Sequence, residues 1–161
     1  MMHLTALIES KRRTCVLVSI AFGVALLPAT VAFAIPPSPI GQWETVSDVT
    51  GEVTSIVRIT LENGELVGEI EKLVREPGQD PNPLCTACPD EKKDQPVQGL
   101  TILWGLEKRD DKWGGGFILD PNNGKTYRSE LRVTDNNEKL EVRAYIGISL
   151  LGRTQVWIRK K

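Results

Sequence analysis

The sequence predicts an all-β fold: a small antiparallel up-and-down barrel of about eight strands, with one long cysteine-bearing loop. Three observations carry that expectation. Apolar and polar residues alternate with period two through most segments after residue 40, tight-turn sequences separate those segments, and no amphipathic helix of normal length interrupts them. Antiparallel strands in that number must bury one face and protect their edges, and closing the sheet on itself does both. The enclosed space is either filled by side chains or holds one small molecule.

The chain has 161 residues, and its first part reads as a secretory signal. Lys11, Arg12 and Arg13 precede an apolar run from Cys15 to Leu27, and Ala32-Phe33-Ala34 forms an A-x-A cleavage site. The run is shorter than the about 20 residues a spanning helix needs, and no lipobox precedes Cys15. The expectation is therefore a cleaved signal peptide over residues 1–34 and a single domain over 35–161, periplasmic or secreted after cleavage near Ala34. The only histidine, His3, leaves with the signal. Its loss removes Ser–His and Cys–His catalysis and histidine metal sites from the exported domain. From Ile35 onward 17 Lys and Arg stand against 20 Asp and Glu, with the signs interleaved. No basic stripe is present to release counterions from a nucleic acid.

Residues 35–40, Ile-Pro-Pro-Ser-Pro-Ile, form a stiff lead-in because proline fixes φ. Gly41 to Val46 is a first short strand carrying Trp43. Glu52 to Thr60 is rich in Val, Ile and Thr at period two, and Asn63-Gly64 then gives a strong hairpin signal. Glu65 to Val74 pairs back, placing Leu66, Gly68 and Ile70 on one face. Gly68 there suits a bend or the close approach of another group. Arg75 to Pro96 is a polar, proline-rich excursion, long for a connection in a compact domain. Val97 to Leu106 reads equally as a short strand or one helical turn. Trp113 to Leu119 is a strand that Gly114-Gly115-Gly116 allows to curl. Asp120-Pro121-Asn122-Asn123-Gly124 is a turn by composition. Thr126 to Thr134 alternates Tyr127, Leu131 and Val133 against Arg128, Glu130 and Arg132. Lys139 to Ile146 alternates Leu140, Val142, Ala144 and Ile146 against Glu141, Arg143 and Tyr145. In Arg153 to Arg159, Thr154, Val156 and Ile158 oppose Arg153, Gln155, Trp157 and Arg159.

Cys85 and Cys88 admit three readings. An oxidising compartment favours a disulfide. A thioredoxin-like pair needs a helix N-terminus, which Pro81, Pro83 and Pro89 disfavour. A zinc site would have to borrow carboxylates such as Asp80 or Asp90. A disulfide here closes a small ring, so it would pin the excursion more than it stabilises the whole domain. The segment 120–125 lacks EF-hand spacing and is better read as a turn. The glycine triplet lacks the helix and Lys-Ser/Thr of a phosphate loop. No cofactor or metal is expected.

Two local features resemble lipocalins. One is Gly41-Gln42-Trp43, similar to that family's G-x-W. The other is a last-strand arginine, Arg159 (or Arg153), like the one that packs over the tryptophan in that family. Nearly the whole chain after residue 40 resembles the bacterial exported family called domain of unknown function 2147. The residues that carry this are Trp113-x-Gly115-Gly116, Asp120-Pro121-x-x-Gly124-Lys125-x-Tyr127 and Gly152-Arg153-Thr154-Gln155-x-Trp157-x-Arg159, with Cys85-x-x-Cys88. The resemblance implies a lipocalin-like barrel in the bacterial envelope, with Trp43 and Arg159 structural. It brings no catalytic residues.

Candidate ligand-binding residues are Arg143, Tyr145, Arg153, Gln155 and Trp157, which would share one face of the last two strands, together with Tyr127. If the aliphatic row opposite them is the core, they face solvent. If the barrel is hollow, they form a polar wall suited to an amphipathic or anionic molecule. The first functional reading is a binding protein for a small, partly apolar or anionic ligand, without catalysis, its Cys85–Cys88 loop serving as lid or rim. The alternative is a packed barrel acting as an envelope interaction module, with a protein partner. Carboxylate chemistry ranks third, because no motif selects a pair of acids.

Overall fold

A computed structural model describes residues 36–161. The signal-peptide expectation, with His3, Cys15 and the cleavage site at Ala34, lies outside the described residues. Eight strands follow in order: β1 Gly41–Val46, β2 Val53–Glu62, β3 Glu65–Leu73, β4 Thr101–Arg109, β5 Lys112–Asp120, β6 Lys125–Thr134, β7 Lys139–Tyr145 and β8 Arg153–Arg159. Each pairs antiparallel with the next, and β8 returns to β1, so the sheet closes into an up-and-down barrel.

Local sequence explains the connections. Asn63 and Gly64 both adopt positive φ, 51° and 90°, the backbone that matches a two-residue hairpin to strand twist. Gly115 (φ 88°) sits at a register shift between Gly114 and Gly116, so the glycine triplet does curl its strand, through a bulge. The ambiguous segment resolves as strand from Thr101. Before it, Gly99 (φ 94°) breaks any helical continuation, and its N–H donates to Ile70 O.

Large side chains fill the barrel interior. Trp43, Val57, Leu66, Leu103, Leu106, Leu131 and Leu140 are fully buried, and Trp157 nearly so. The two polar chain edges are sealed beneath them. Trp43 Nε1 donates to Pro39 O at 2.7 Å. The Arg159 guanidinium lies 4.1 Å from the Trp43 ring centroid. It also donates to the carbonyls of Asn137, Ile40 and Ser38. One cation thus ties the lead-in, the β6–β7 turn and both seam strands together. Burial lowers its pKa and Glu138 pushes it back up.

The excursion between β3 and β4 is docked rather than loose. Cys85 and Cys88 are joined by a disulfide and both are buried. Cys85 N–H donates to Gln95 O, and Asp94 N–H donates to Cys85 O. Cys85 Sγ lies 3.4 Å from Pro121 O, so the disulfide rests on the β5–β6 turn. Gly124 (φ 69°) permits this: a Cβ there would overlap the Ala87 carbonyl. Under the excursion, Cys85, Cys88, Val97, Leu100, Ile102 and Leu119 join the core.

Three expectations follow. Arg159→Ala should cost about 2–4 kcal/mol, from the lost stacking and three charge-assisted hydrogen bonds, read as a lower urea midpoint. Gly124→Ala should cost more than about 1 kcal/mol and expose residues 75–96 to limited proteolysis while β1–β8 remain protected. Glu71 supplies a pH test. The Gln42 amide (2.6 Å) and the Arg58 guanidinium hold its carboxyl below the usual carboxylate range, against a desolvation cost. A lowered folded-state pKa adds stability above the unfolded-state pKa, and that stability is lost as pH falls through the folded value. Glu71→Gln should therefore lower the urea midpoint at neutral pH by less than about 1 kcal/mol equivalent, and the difference should vanish in acid.

Candidate functional site

Topology gathers four connections at one end of the barrel: the β1–β2 loop, the Cys85–Cys88 excursion, the β5–β6 turn and the β7–β8 link. Pairing then gives the inner face rung by rung. Val133, Leu140 and Trp157 lie level across β6, β7 and β8. Leu131, Val142 and Gln155 come next, and Ser129, Ala144 and Arg153 stand nearest the open end. On β1 and β2 the corresponding step runs from Trp43 and Val57 to Thr45 and Ser55. Residue character therefore changes along the axis. On β6–β8 and on β1–β2, large apolar side chains give way to small or polar ones toward that end, whereas on β4 and β5 the rung of Tyr127 is completed by Ile118 and the fully buried Leu103.

That polar layer has specific bonds. Thr45 Oγ1 and Ser55 Oγ are 2.7 Å apart. Arg153 forms an ion pair with Asp48 of the β1–β2 loop, and Gln155 Nε2 donates to the same carboxylate at 3.3 Å. Tyr127, opposite Ile118 on the inner face, accepts from Asn123 Nδ2 at 3.4 Å. Ser129 Oγ, with its residue 0 % exposed, has no partner, and neither does Trp157 Nε1. Buried polar atoms are almost always hydrogen-bonded, and leaving one unmade costs about 1–3 kcal/mol.

The expected face of the last two strands is divided by the barrel. Arg153, Gln155 and Trp157 form the inward row of β8, level with Ala144, Val142 and Leu140, with Trp157 buried and the Arg153 side chain 71% exposed at the rim, on Asp48. Arg143 and Tyr145 lie on the outer wall, opposite Thr154 and Arg128. The physical reason is burial of the larger ring. Trp157 goes into the core and Val156 is left exposed, so the inward row of β8 is the polar-looking one. On β7 the inward row is the aliphatic one. Arg143 instead braces the β7–β8 link, with Nε donating to Ser149 O at 2.8 Å. Of the two arginines considered for the tryptophan, Arg159 stacks on Trp43, while Arg153 stands at the opposite end.

Two clefts open on the outer surface. One, of about 320 Å³, lies between Lys92, Gln95, Gln98, Leu100 and Thr101 at the foot of the excursion. The other, of about 220 Å³, lies between Lys112, Glu130, Arg132, Glu141, Arg143 and Thr154 on the β6–β8 wall. Among the described residues no cluster of three metal-ligating side chains forms. Sequence reasoning missed Ser129, Asp48, Thr45 and Ser55. The period-two alternation of Tyr127, Leu131 and Val133 already places Ser129 on their face. Nothing local marks Asp48, whose partners are more than a hundred residues away.

The fold has a solved counterpart. Protein HP1028 from the human pathogen Helicobacter pylori, described as belonging to the lipocalin family, superposes with a TM-score of 0.66 at 22% sequence identity, covering 78% of this chain and 84% of that one. The likeness shows a lipocalin-like barrel. A search of curated proteins finds no match. The model of one protein family, described as an uncharacterized protein conserved in bacteria (DUF2147), matches residues 41–159, from the first residue of β1 to the last of β8, and the chain belongs to that family.

Proposed function

We propose that this chain is an exported lipocalin-like binding protein, periplasmic after removal of residues 1–34, that takes a small, partly apolar molecule with an acidic or acceptor-bearing head at the open end of its barrel. The observation that carries the reading is Ser129 Oγ: fully buried, on the inner face, and unpaired. Below it the barrel is apolar and filled, so the ligand would sit high, with its apolar part on Ile118 and Ala144. Arg153, Gln155 and Tyr127 would receive its polar end. Arg153 and Gln155 already share one carboxylate, Asp48. An anionic head would take over Arg153 by displacing that carboxylate, and the Asp48 side chain, on an exposed loop, would return to solvent. Binding, not catalysis, is the role such a ring supports.

A second reading, an envelope interaction module, is favoured by the seam. β1 and β8 pair through Trp43–Arg159 and Glu44–Ile158, with Lys160 N–H donating to Gln42 O beyond them. Toward the open end the two strands present edges to which a partner's extended segment could add.

Native mass spectrometry of the protein purified from a bacterial periplasm, followed by denaturation and extraction, tests the first reading. A retained small mass that reappears in the extract is expected. Ser129→Val, which fills the space and removes the hydroxyl, should weaken retention by at least about tenfold, whereas Glu141→Gln on the outer wall should not. A clean apo mass in both proteins would overturn the reading. A clean dimer would move it to the interaction module.

A further inference from the structure

The β7–β8 link, residues 146–152, contains no charged residue, and its large side chains stand clear of the fold. Ile146 is 73% exposed, Ile148 61%, Leu150 83% and Leu151 79%; on the neighbouring β1–β2 loop Val49 is 93% exposed. Single exposed aliphatics are ordinary, whereas a group of five at one end of a barrel marks an interaction surface.

That surface is preformed. The Arg143 guanidinium donates to Ser149 O (2.8 Å) and Leu150 O (3.1 Å). The Ser149 hydroxyl donates to the Glu130 carboxylate at 3.4 Å, and Gly152 N–H donates to Ser149 O at 3.0 Å. These bonds fix the turn Ser149–Leu151 with its leucines outward. The Asp48 clamp on Arg153 and Gln155 ties the loop bearing Val49 to β8. Covering the tips therefore orders little that is not ordered already, which lowers the entropic cost of association.

Area and charge together select the occupant. The five exposed residues offer roughly 700 Å² on each copy, close to the about 800 Å² per partner that a standard protein interface buries. The rim around them carries both signs: Asp48, Glu52 and Glu130 against Arg128, Arg143 and Arg153. Such a rim gives no net attraction to an anionic membrane or a nucleic acid. It does suit a second copy of the same surface. A two-fold axis through the uncharged link brings aliphatic side chains together at the centre, where no like charges meet. The charged residues stay at the periphery, in water. An apolar centre with a polar rim is the anatomy of a homodimer interface.

We infer that the chain forms a two-fold symmetric dimer in which Ile146, Ile148, Leu150, Leu151 and Val49 of one copy pack on the same residues of the other. This goes beyond the ligand-binding reading and does not depend on it, because the contact uses loop tips outside the barrel. Native masses keep the two apart. A dimer with a retained small molecule fits both, a dimer without one fits this inference alone, and a monomer with one fits only the ligand-binding reading.

The test is sedimentation velocity of the exported protein, its N-terminus defined by intact mass, between about 1 and 100 μM. A concentration-dependent dimer is expected. The double variant Leu150→Ser, Leu151→Ser should raise the dissociation constant at least about tenfold. It should leave the urea midpoint unchanged at concentrations where the wild type is monomeric, since both side chains are already exposed. Cys85 and Cys88 are spent on each other, so the thiol introduced by Leu150→Cys finds a disulfide partner only in another copy. Oxidation should cross-link that variant as a dimer, whereas Leu61→Cys, near the β2–β3 hairpin at the opposite end, should stay monomeric. A monomer at about 100 μM would overturn the inference. So would a dimer that the double variant leaves intact, or one that Leu61→Cys captures in place of Leu150→Cys.

Discussion

The barrel depends on how its first and last strands are joined. A closed antiparallel sheet has no free edge, but here the closing ladder is short, Trp43–Arg159 and Glu44–Ile158, extended by Lys160 N–H donating to Gln42 O. So short a ladder holds because side chains take over from backbone. Arg159 stacks on Trp43 and reaches three carbonyls from the lead-in and the β6–β7 turn. Asp135, Asn136 and Asn137 support this from the other side, with three consecutive positive φ angles. Such a backbone is costly outside Gly, Asn and Asp. It brings Asn137 O to the guanidinium, while Asn137 Oδ1 accepts from Ser38 N–H. The seam therefore closes at one end of the barrel and is bridged by Asp48 at the other.

That asymmetry organises the interior. At the Arg159 end two tryptophans and a ring of leucines exclude water, and packing supplies the hydrophobic free energy. At the other end the inner residues of β1, β2, β6 and β7 shrink to Thr45, Ser55, Ser129 and Ala144, and the hydroxyls of Thr45 and Ser55 bond each other. Cavities cost stability roughly in proportion to their volume, so a barrel of this size gains by filling its interior with side chains.

Much of this was legible in the sequence and some was not, for identifiable reasons. Strand positions follow from period-two alternation, and the hairpin at Asn63-Gly64 from its turn chemistry; both are local signals. The disulfide followed from the nearness of the two cysteines in sequence and the expected oxidising compartment. Facing was harder. On β7 and β8 both rows contain apolar groups, and the sequence pairs Leu140 and Val142 by eye with Val156 and Ile158. The structure instead levels Leu140 with Trp157, because the indole gains more from burial than valine does. The seven-residue link 146–152 carries no signal of the register it imposes, and one residue of slip reverses every facing. Asp48 was invisible for the same reason that it matters: its bonds join segments distant in sequence.

The excursion bearing Cys85 and Cys88 adds a further constraint on the open end. Its disulfide rests on the β5–β6 turn, where Gly124 leaves space for the Ala87 carbonyl. That same turn supplies Asn123, whose amide donates to the Tyr127 hydroxyl on the inner face. Asp120 holds both asparagines of the turn through its two carboxylate oxygens. The chain of contacts therefore runs from a cross-link on the outside, through a turn, to a side chain of the polar layer. A ring of so few residues adds little global stability by restricting the unfolded chain. Its value here is positional: it stiffens one wall of the opening, while Arg143 stiffens the link on the other side. Under the proposed binding role, bracing on two sides would lower the conformational entropy lost on binding, because the side chains there are already ordered.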